Sequence, residues 1–205
     1  MHNRKILIIG EVYVDQHLDI IENGYSTSRL GGIFHAARSC DALNIEYALA
    51  YYAPDYLVKD VEKFGIDVLR ASSIFRLGKV DKAPNVMLIG QSDESGNQLY
   101  ENILGRQAEY VSMLPFMQVL DDFDPTDIII FPGRYGNAGI LSNLSNYEGK
   151  IHIDMNYDCD DILDLDTIKI QTVFLSTSST SFEEFFKEIS YDLSLIHISE
   201  PTRQE

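Results

Sequence analysis

The residues best suited to chemistry lie early in the chain: Asp15 after an apolar run, the pair Gly31-Gly32, and His35 just beyond. Paired glycines let the backbone approach a ligand closely or adopt positive φ at little cost. A helix is expected directly after them, over about Ile33–Leu43. Its free N–H groups and positive dipole end would point at the same spot. A carboxylate accepts two hydroxyl hydrogen bonds at once, so Asp15 beside such an elbow suits a polyol, and a sugar especially. A neutral imidazole at His35 offers one donor and one acceptor, and a protonated one would favour an acidic substrate. Each residue also has a plainer reading: Asp15 closing a loop, the glycines turning tightly into a helix, His35 packed on that helix.

Other chemistries lack their residues. There is no Gly-x-x-x-x-Gly-Lys-Ser/Thr loop, and no Gly-x-Gly-x-x-Gly follows the first strand, so the main nucleotide-binding fingerprints are missing. Gly133 to Gly139 holds glycines at the wrong spacing for either and reads as a turn and cap. His152 and Asp154 form only a His-x-Asp, too little for a metal site, and Cys40 and Cys159 make neither a disulfide framework nor a zinc site. Cys40, among small residues of the first helix, is expected to be a buried thiol.

The elements that must position these residues alternate between strand and helix. Lys5–Ile9 is a continuous apolar run, typical of a strand buried on both faces; it is expected to continue to Asp15, with a loop from there to Arg29. Glu46–Ala50 reads as a strand and Asp55–Lys63 as a helix capped by Asp55. Short strands are expected at Ile66–Leu69 and Ser73–Leu77. Val86–Ile89 and Gln98–Ile103 flank a turn-rich stretch and form a hairpin. A helix is expected over Leu114–Leu120, then a clear parallel strand at Asp127–Phe131, broken by Pro132-Gly133. Asn137 can cap a helix to about Leu144; strands follow at Ile151–Asp154 and Thr172–Leu175, and a helix near Phe182–Ile189. This alternation implies right-handed crossovers and a mostly parallel sheet with helices on both faces. Ligands in such sheets bind beyond the carboxyl ends of the strands, where Asp15, Gly31-Gly32, Gly133 and Asn156 are expected.

The formal net charge of the 205 residues is −16, and 45% of them are hydrophobic. Such acidity repels nucleic-acid phosphates and anionic membranes at long range, which argues against nucleic acid as a partner. No apolar run approaches the roughly 20 residues that span a bilayer, and Met1 is followed by charged residues rather than a signal sequence. A reducing, cytoplasmic setting is the expectation.

The same residues resemble the N-terminal half of the ribokinase-like, or PfkB-type, carbohydrate kinases. The family's Gly-x-x-x-x-Asp appears as Gly10 to Asp15, its glycine pair as Gly31-Gly32, and its alanine-rich helix as Ile33 to Leu43. Asn85 to Arg106 is similar to its lid hairpin (84–106), Asp127 to Gly133 to the strand ending near substrate, and Ile151 to Asn156 to its Asp-x-Asn strand. The resemblance implies a three-layer α/β sandwich with a small β lid. It also implies ATP with Mg2+ as cofactors of the full-length parent and a sugar or related polyol as small-molecule partner. By the same resemblance Asp15, Gly31, Gly32, His35, Arg106 and Gly133 would bind substrate, and Asp154 and Asn156 would lie near the nucleotide phosphates. Lid hairpins of this kind also pair between subunits, which allows a homodimer.

The chain departs from the family at three points. His35 replaces the expected Asn, Gly105-Arg106-Gln107 stands where Gly-Ala-Asn is common, and Ser176 and Ser179 stand where Asn-x-x-Glu helps organise magnesium. The first and third of these departures, at His35 and at Ser176 and Ser179, favour a non-catalytic, sugar-kinase-like binding or regulatory protein as the alternative. The Gly-Ala-Gly-Asp segment that carries the catalytic base is not among these residues, and Leu193 to Arg203 reads as the conceptual translation of a sequencing adapter. Residues 1–192 are thus expected to be the N-terminal part of a kinase domain, with 193–205 an artefact. Removing that tail takes away one Arg and two Glu and leaves a charge of −15, so the acidity belongs to the domain. Residues 1–192 alone are expected to give no ATP-dependent sugar phosphorylation; measurable turnover in a coupled assay would overturn that expectation.

Overall fold

The computed structural model describes residues 4–22, 25–92, 98–103, 108–131, 140, 143–156 and 170–176. Two sheets organise them. The larger contains β1 (Lys5–Glu11), β4 (Glu46–Ala53), β5 (Ser73–Asp81), β8 (Glu109–Ser112), β9 (Asp127–Ile130), β10 (Lys150–Asn156) and β11 (Ile170–Ser176). Its strand order is β11-β10-β9-β1-β4-β5-β8, parallel except for the edge strand β8, which runs antiparallel to β5. The smaller contains β2 (Val14–Glu22), β3 (Tyr25–Leu30), β6 (Val86–Ser92) and β7 (Gln98–Ile103), in the order β3-β2-β6-β7.

Strand β1 sits at the centre because it is apolar on both sides. Leu7 and Ile9 join one core with Ala48, Ala50, Ile128 and Ile130; Ile6 and Ile8 join the other with Tyr47, Leu49 and Tyr51. The period-2 alternation of side chains divides one strand between two cores. Helix α3 (Phe116–Phe123) covers the first core through Phe116, Val119 and Phe123. Helix α1 (Phe34–Ala42) covers the second through Phe34, Ala37 and Cys40. The result is a mostly parallel sheet with helices on both faces, as the alternating sequence implied, in a three-layer α/β sandwich with a small sheet appended, as the family resemblance implied. Burial pushes the Cys40 thiol up, in keeping with an inert side chain.

Several local expectations are corrected. Strand β1 ends at Glu11, and Asp15 belongs to β2, in the second sheet. The expected loop between Asp15 and Arg29 is instead most of an antiparallel pair, with Val14 opposite Leu30 and Glu22 opposite Tyr25. The stretch Ile66–Leu69 is not a strand. Helix α2 (Val58–Lys63) runs on as a π-helical turn over Phe64–Val68, with Ile66 and Val68 exposed. Gly65 permits this path, since a Cβ there would stand 2.5 Å from Ile74 Cδ1. Nor does Asp55 cap that helix. It pairs with Arg76 (2.5 Å) and Lys79 (2.9 Å) at the start of a 3-10 turn, and these cations hold its carboxyl below the ordinary range. The helices expected near 137–144 and 182–189 fall largely or wholly outside the described residues.

A buried polar joint ties the two sheets together. Glu11, 3% exposed at the end of β1, accepts hydrogen bonds from Asn85 Nδ2 (3.2 Å) and Tyr110 Oη (2.8 Å). Asn85 leads into β6 with a left-handed φ of 49°; its side chain also donates to the Val12 carbonyl (3.1 Å), and its own carbonyl accepts from the Val14 amide (2.8 Å). Asparagine tolerates this conformation better than most residues. Removing a donor from a buried acceptor costs about 1–3 kcal/mol, so Tyr110→Phe is expected to lower unfolding stability by that amount in urea titrations.

Candidate functional site

The order of the large sheet reverses direction at β1, with β4 following on one side and β9 on the other. Crevices beyond the carboxyl ends of strands at such a reversal are the usual ligand sites of open α/β sheets. The diglycine elbow lies at this point. Gly31 N–H donates to the Tyr13 carbonyl (2.8 Å) and Ile33 N–H to the Glu11 carbonyl (3.1 Å), which staples the entrance of α1 to the end of β1. Gly10, one residue earlier on β1, has no room for a side chain: a Cβ would stand 2.7 Å from Ile33 Cγ2 and 3.0 Å from Phe131 Cβ.

Each glycine of the pair has its own reason. Gly32 adopts φ 60°, the left-handed region, and its Cα faces the Glu11 carbonyl so closely that a Cβ would collide with it. A Cβ on Gly31 would collide instead with the Asp15 carboxylate. The pair thus makes space for two groups of the chain itself. Asp15 and Gly31 are in direct contact, as their sequence order suggested.

Asp15 is buried, 4% exposed, and stands opposite Arg29 across the β2–β3 ladder. Its Oδ2 lies 3.0 Å from His35 Nε2 and 3.7 Å from Arg29 Nε, with both partners half-exposed. Neither contact is aligned as a hydrogen bond, and Oδ2 has no hydrogen-bond partner among the described residues. Helix α1 brings Arg38 to the same place, one turn beyond His35. Arg38 Nη2 donates to the Leu30 carbonyl (2.7 Å), whereas its buried Nη1 has no partner among the described residues. Burial and then repulsion from Arg29 lower the guanidinium's pKa, while Asp15 offsets part of that shift. A buried carboxylate rimmed by a histidine and two arginines can accept hydroxyl protons in hydrogen bonds and hold an electronegative group nearby.

Asp15, Gly31, Gly32 and His35 are therefore brought together. Asp154 and Asn156 are not in that group. They end β10, with β9 lying between β10 and β1. Through the shared β9 register, Asp154 is level with Gly10 and roughly 10 Å across the sheet from it. Burial raises the Asp154 carboxyl pKa. Ser176 pairs with Asn156 at the edge of the sheet. Arg106, Gly133 and Ser179 lie outside the described residues. His152 stands 3.5 Å from Asp127, and no cluster of three or more metal-ligating side chains occurs among the described residues. Arg29 and Arg38 were not legible as neighbours of Asp15. The first is placed by the hairpin ladder, and the second required the i, i+3 step from His35 to be read along with the elbow.

No family model matches the chain, and no curated protein matches it. Solved structures do. A ribokinase from Giardia lamblia superposes with a TM-score of 0.59 at 15% identity, over 84% of this chain and 57% of that one. A putative 2-keto-3-deoxygluconate kinase from Enterococcus faecalis gives 0.55 at 14% identity, over 93% and 63%. An uncharacterized sugar kinase from Pyrococcus horikoshii, in complex with ATP, gives 0.50 at 15% identity, over 82% and 62%. The chain spans between 57% and 63% of the length of these three proteins. What the sheet order, the two-sided core and the appended sheet define is an open α/β protein with a switch point at β1. More particularly, it has the ribokinase-like fold.

Strain at the elbow gives a direct test. Gly32→Ala forces an L side chain into left-handed backbone against the Glu11 carbonyl. A loss of stability of about 1–3 kcal/mol from the conformation alone, with more from the collision, should appear as a lower denaturant midpoint.

Proposed function

We propose that this chain is the sugar-recognising portion of an ATP-dependent carbohydrate kinase of the ribokinase-like, PfkB type. The observation that carries the reading is the Asp15 carboxylate: buried, pressed against Gly31, and with one oxygen lacking a hydrogen-bond partner among the described residues. It lies close to the switch-point end of β1, where a ligand belongs in this fold. The neighbours described as sugar kinases, one of them in complex with ATP, support the same substrate and donor classes.

In this reading Asp15 accepts hydrogen bonds from two sugar hydroxyls, and the elbow holds it in place. His35 takes the position of the family's amide and contributes a further hydroxyl contact beside the carboxylate. The four-stranded sheet is the lid, carrying Asp15 itself on β2. ATP with Mg2+ would supply the phosphoryl group and neutralise its developing charge. Asp154 and Asn156, at the end of β10, are the residues proposed to lie beside the phosphates. The catalytic base and most of the ATP pocket are assigned to sequence outside this chain. Arg106 and Gly133 are retained as proposed substrate contacts. A homodimer through the lid and a cytoplasmic setting complete the proposal; among the described residues, no helix is long and apolar enough to cross a membrane.

A specific observation favours a second reading, a binding or regulatory protein without catalysis. His35 Nε2 lies 3.0 Å from the same Asp15 oxygen that a sugar hydroxyl would need, and Ser176 stands where the magnesium-organising motif is expected. The two readings separate in one experiment. The complete gene product, assayed with ATP and a panel of sugars, is expected to phosphorylate one of them. Asp15→Asn should lower kcat/KM by about 100-fold or more, with the melting temperature nearly unchanged. Sugar binding without turnover would select the second reading, and neither binding nor turnover would sink both.

A further inference from the structure

We infer that His17 is a second substrate-contacting side chain, which fixes the specificity of the site for a hydroxyl neighbouring those held by Asp15. This rests on the polyol reading of Asp15. On β2, burial alternates: Val14 and Gln16 are half-buried, whereas Asp15 and His17 are 4% and 8% exposed. Alternation places residues 15 and 17 on the same face of the small sheet, about 6.5–7 Å apart along the strand. Two side chains at that separation can reach different hydroxyls of one five- or six-carbon polyol.

The neighbours of His17 fit such a role. The β2–β3 ladder sets Thr27 opposite it, as Arg29 is set opposite Asp15. On the other side, the β2–β6 ladder places Ile89 beside His17 and Met87 beside Asp15. The strip of sheet is therefore polar along β3 and apolar along β6, with the carboxylate and imidazole between. A sugar ring presents the same division, hydroxyls at its edge and C–H groups on its face.

The unpaired atoms carry the inference. Both ring nitrogens of His17 lack a hydrogen-bond partner among the described residues; Asp15 Oδ2 also lacks one, although His35 Nε2 and Arg29 Nε lie 3.0 Å and 3.7 Å from it. Buried polar atoms are seldom left unpaired. Two such residues, adjacent on one strand face, point to a ligand that supplies donors and acceptors together. Hydroxyls do both, and a neutral imidazole can donate through one nitrogen and accept through the other. One carboxylate and one imidazole are too few for a protein-held metal ion, and no larger cluster of metal-ligating side chains is present among the described residues.

The test uses the 205-residue chain, with ring-15N histidine, titrated separately with fructose, ribose and myo-inositol. The His17 ring resonances are expected to shift saturably with at least one of these probes. His17→Leu should weaken that probe's affinity by about 10-fold, the worth of a hydrogen bond or two. It should also raise the melting temperature by about 2–4 °C, because a buried unpaired polar group is removed. His17→Gln, which keeps a donor and an acceptor, should hold most of the affinity. If His17→Leu binds within about twofold of the parent while Asp15→Asn loses binding, the role of His17 is overturned and the Asp15 site stands. A lowered melting temperature for His17→Leu identifies a structural histidine and also overturns it. No saturable binding of any probe to the parent chain overturns both.

Discussion

The close approach of the diglycine elbow to the end of β1 governs the rest of this structure. Two backbone hydrogen bonds, Gly31 to Tyr13 and Ile33 to Glu11, bring the start of α1 against the strand the whole sheet is built around. That approach is possible only without side chains at Gly10, Gly31 and Gly32, because each would meet an atom already in place. It fixes the angle at which α1 leaves for the second core, where Phe34 and Ala37 are fully buried. It also fixes where His35 and Arg38 emerge. Packing of the second core and the surroundings of Asp15 thus share one constraint.

The electrostatics around the elbow run against the character of the chain. Acidic residues outnumber basic ones by 32 to 16, yet Arg29, Arg38 and His35 gather around a single carboxylate. A long-range negative field and a local cationic rim coexist because screening confines the rim's influence to about 10 Å at ordinary ionic strength. A neutral group placed beside Asp15 would be indifferent to the distant field and would meet only the rim. This is why net charge, useful for arguing against nucleic acid, says little about the surroundings of Asp15.

Much of the fold was legible in the sequence because it follows from continuous apolar runs. Lys5–Ile9 reads as a strand buried on both faces, Glu46–Ala50 as a strand and Asp127–Phe131 as a parallel strand, and all three lie side by side at the centre of the sheet. Strands β2 and β3 were missed because their residues are largely polar: Asp15, Gln16, His17 and Asp19 on one, Ser26, Thr27, Ser28 and Arg29 on the other. One signal was available, since Asn23-Gly24 between them is the strongest dipeptide mark of a two-residue hairpin turn. The stretch Ile66–Leu69 misled in the opposite way. Its hydrophobic residues suggested a strand, but the contact of Gly65 with Ile74 lets a helical turn continue through them. At the site, the neighbourhood of Asp15 and the glycines was legible from order alone. The joint of Glu11, Asn85 and Tyr110 was not, because its members are separated by up to 99 positions and only the sheet brings them together.

The small sheet is stitched from two distant parts of the chain. Its central pair, β2 and β6, is parallel, with Val14 beside Val86, and all of β3, α1, β4, α2 and β5 must be threaded between them. Closing so large a loop costs chain entropy before any contact repays it. The main sheet, by drawing β1 and β5 to either side of β4, brings those two ends within reach and removes most of that cost. On this ground the appended sheet is the last part to assemble and the first to open, so its backbone amides should exchange with deuterium well before those of β1. Whatever opens it must first break the joint of Glu11, Asn85 and Tyr110, so the last piece fastened is also latched to the strand around which everything else was laid.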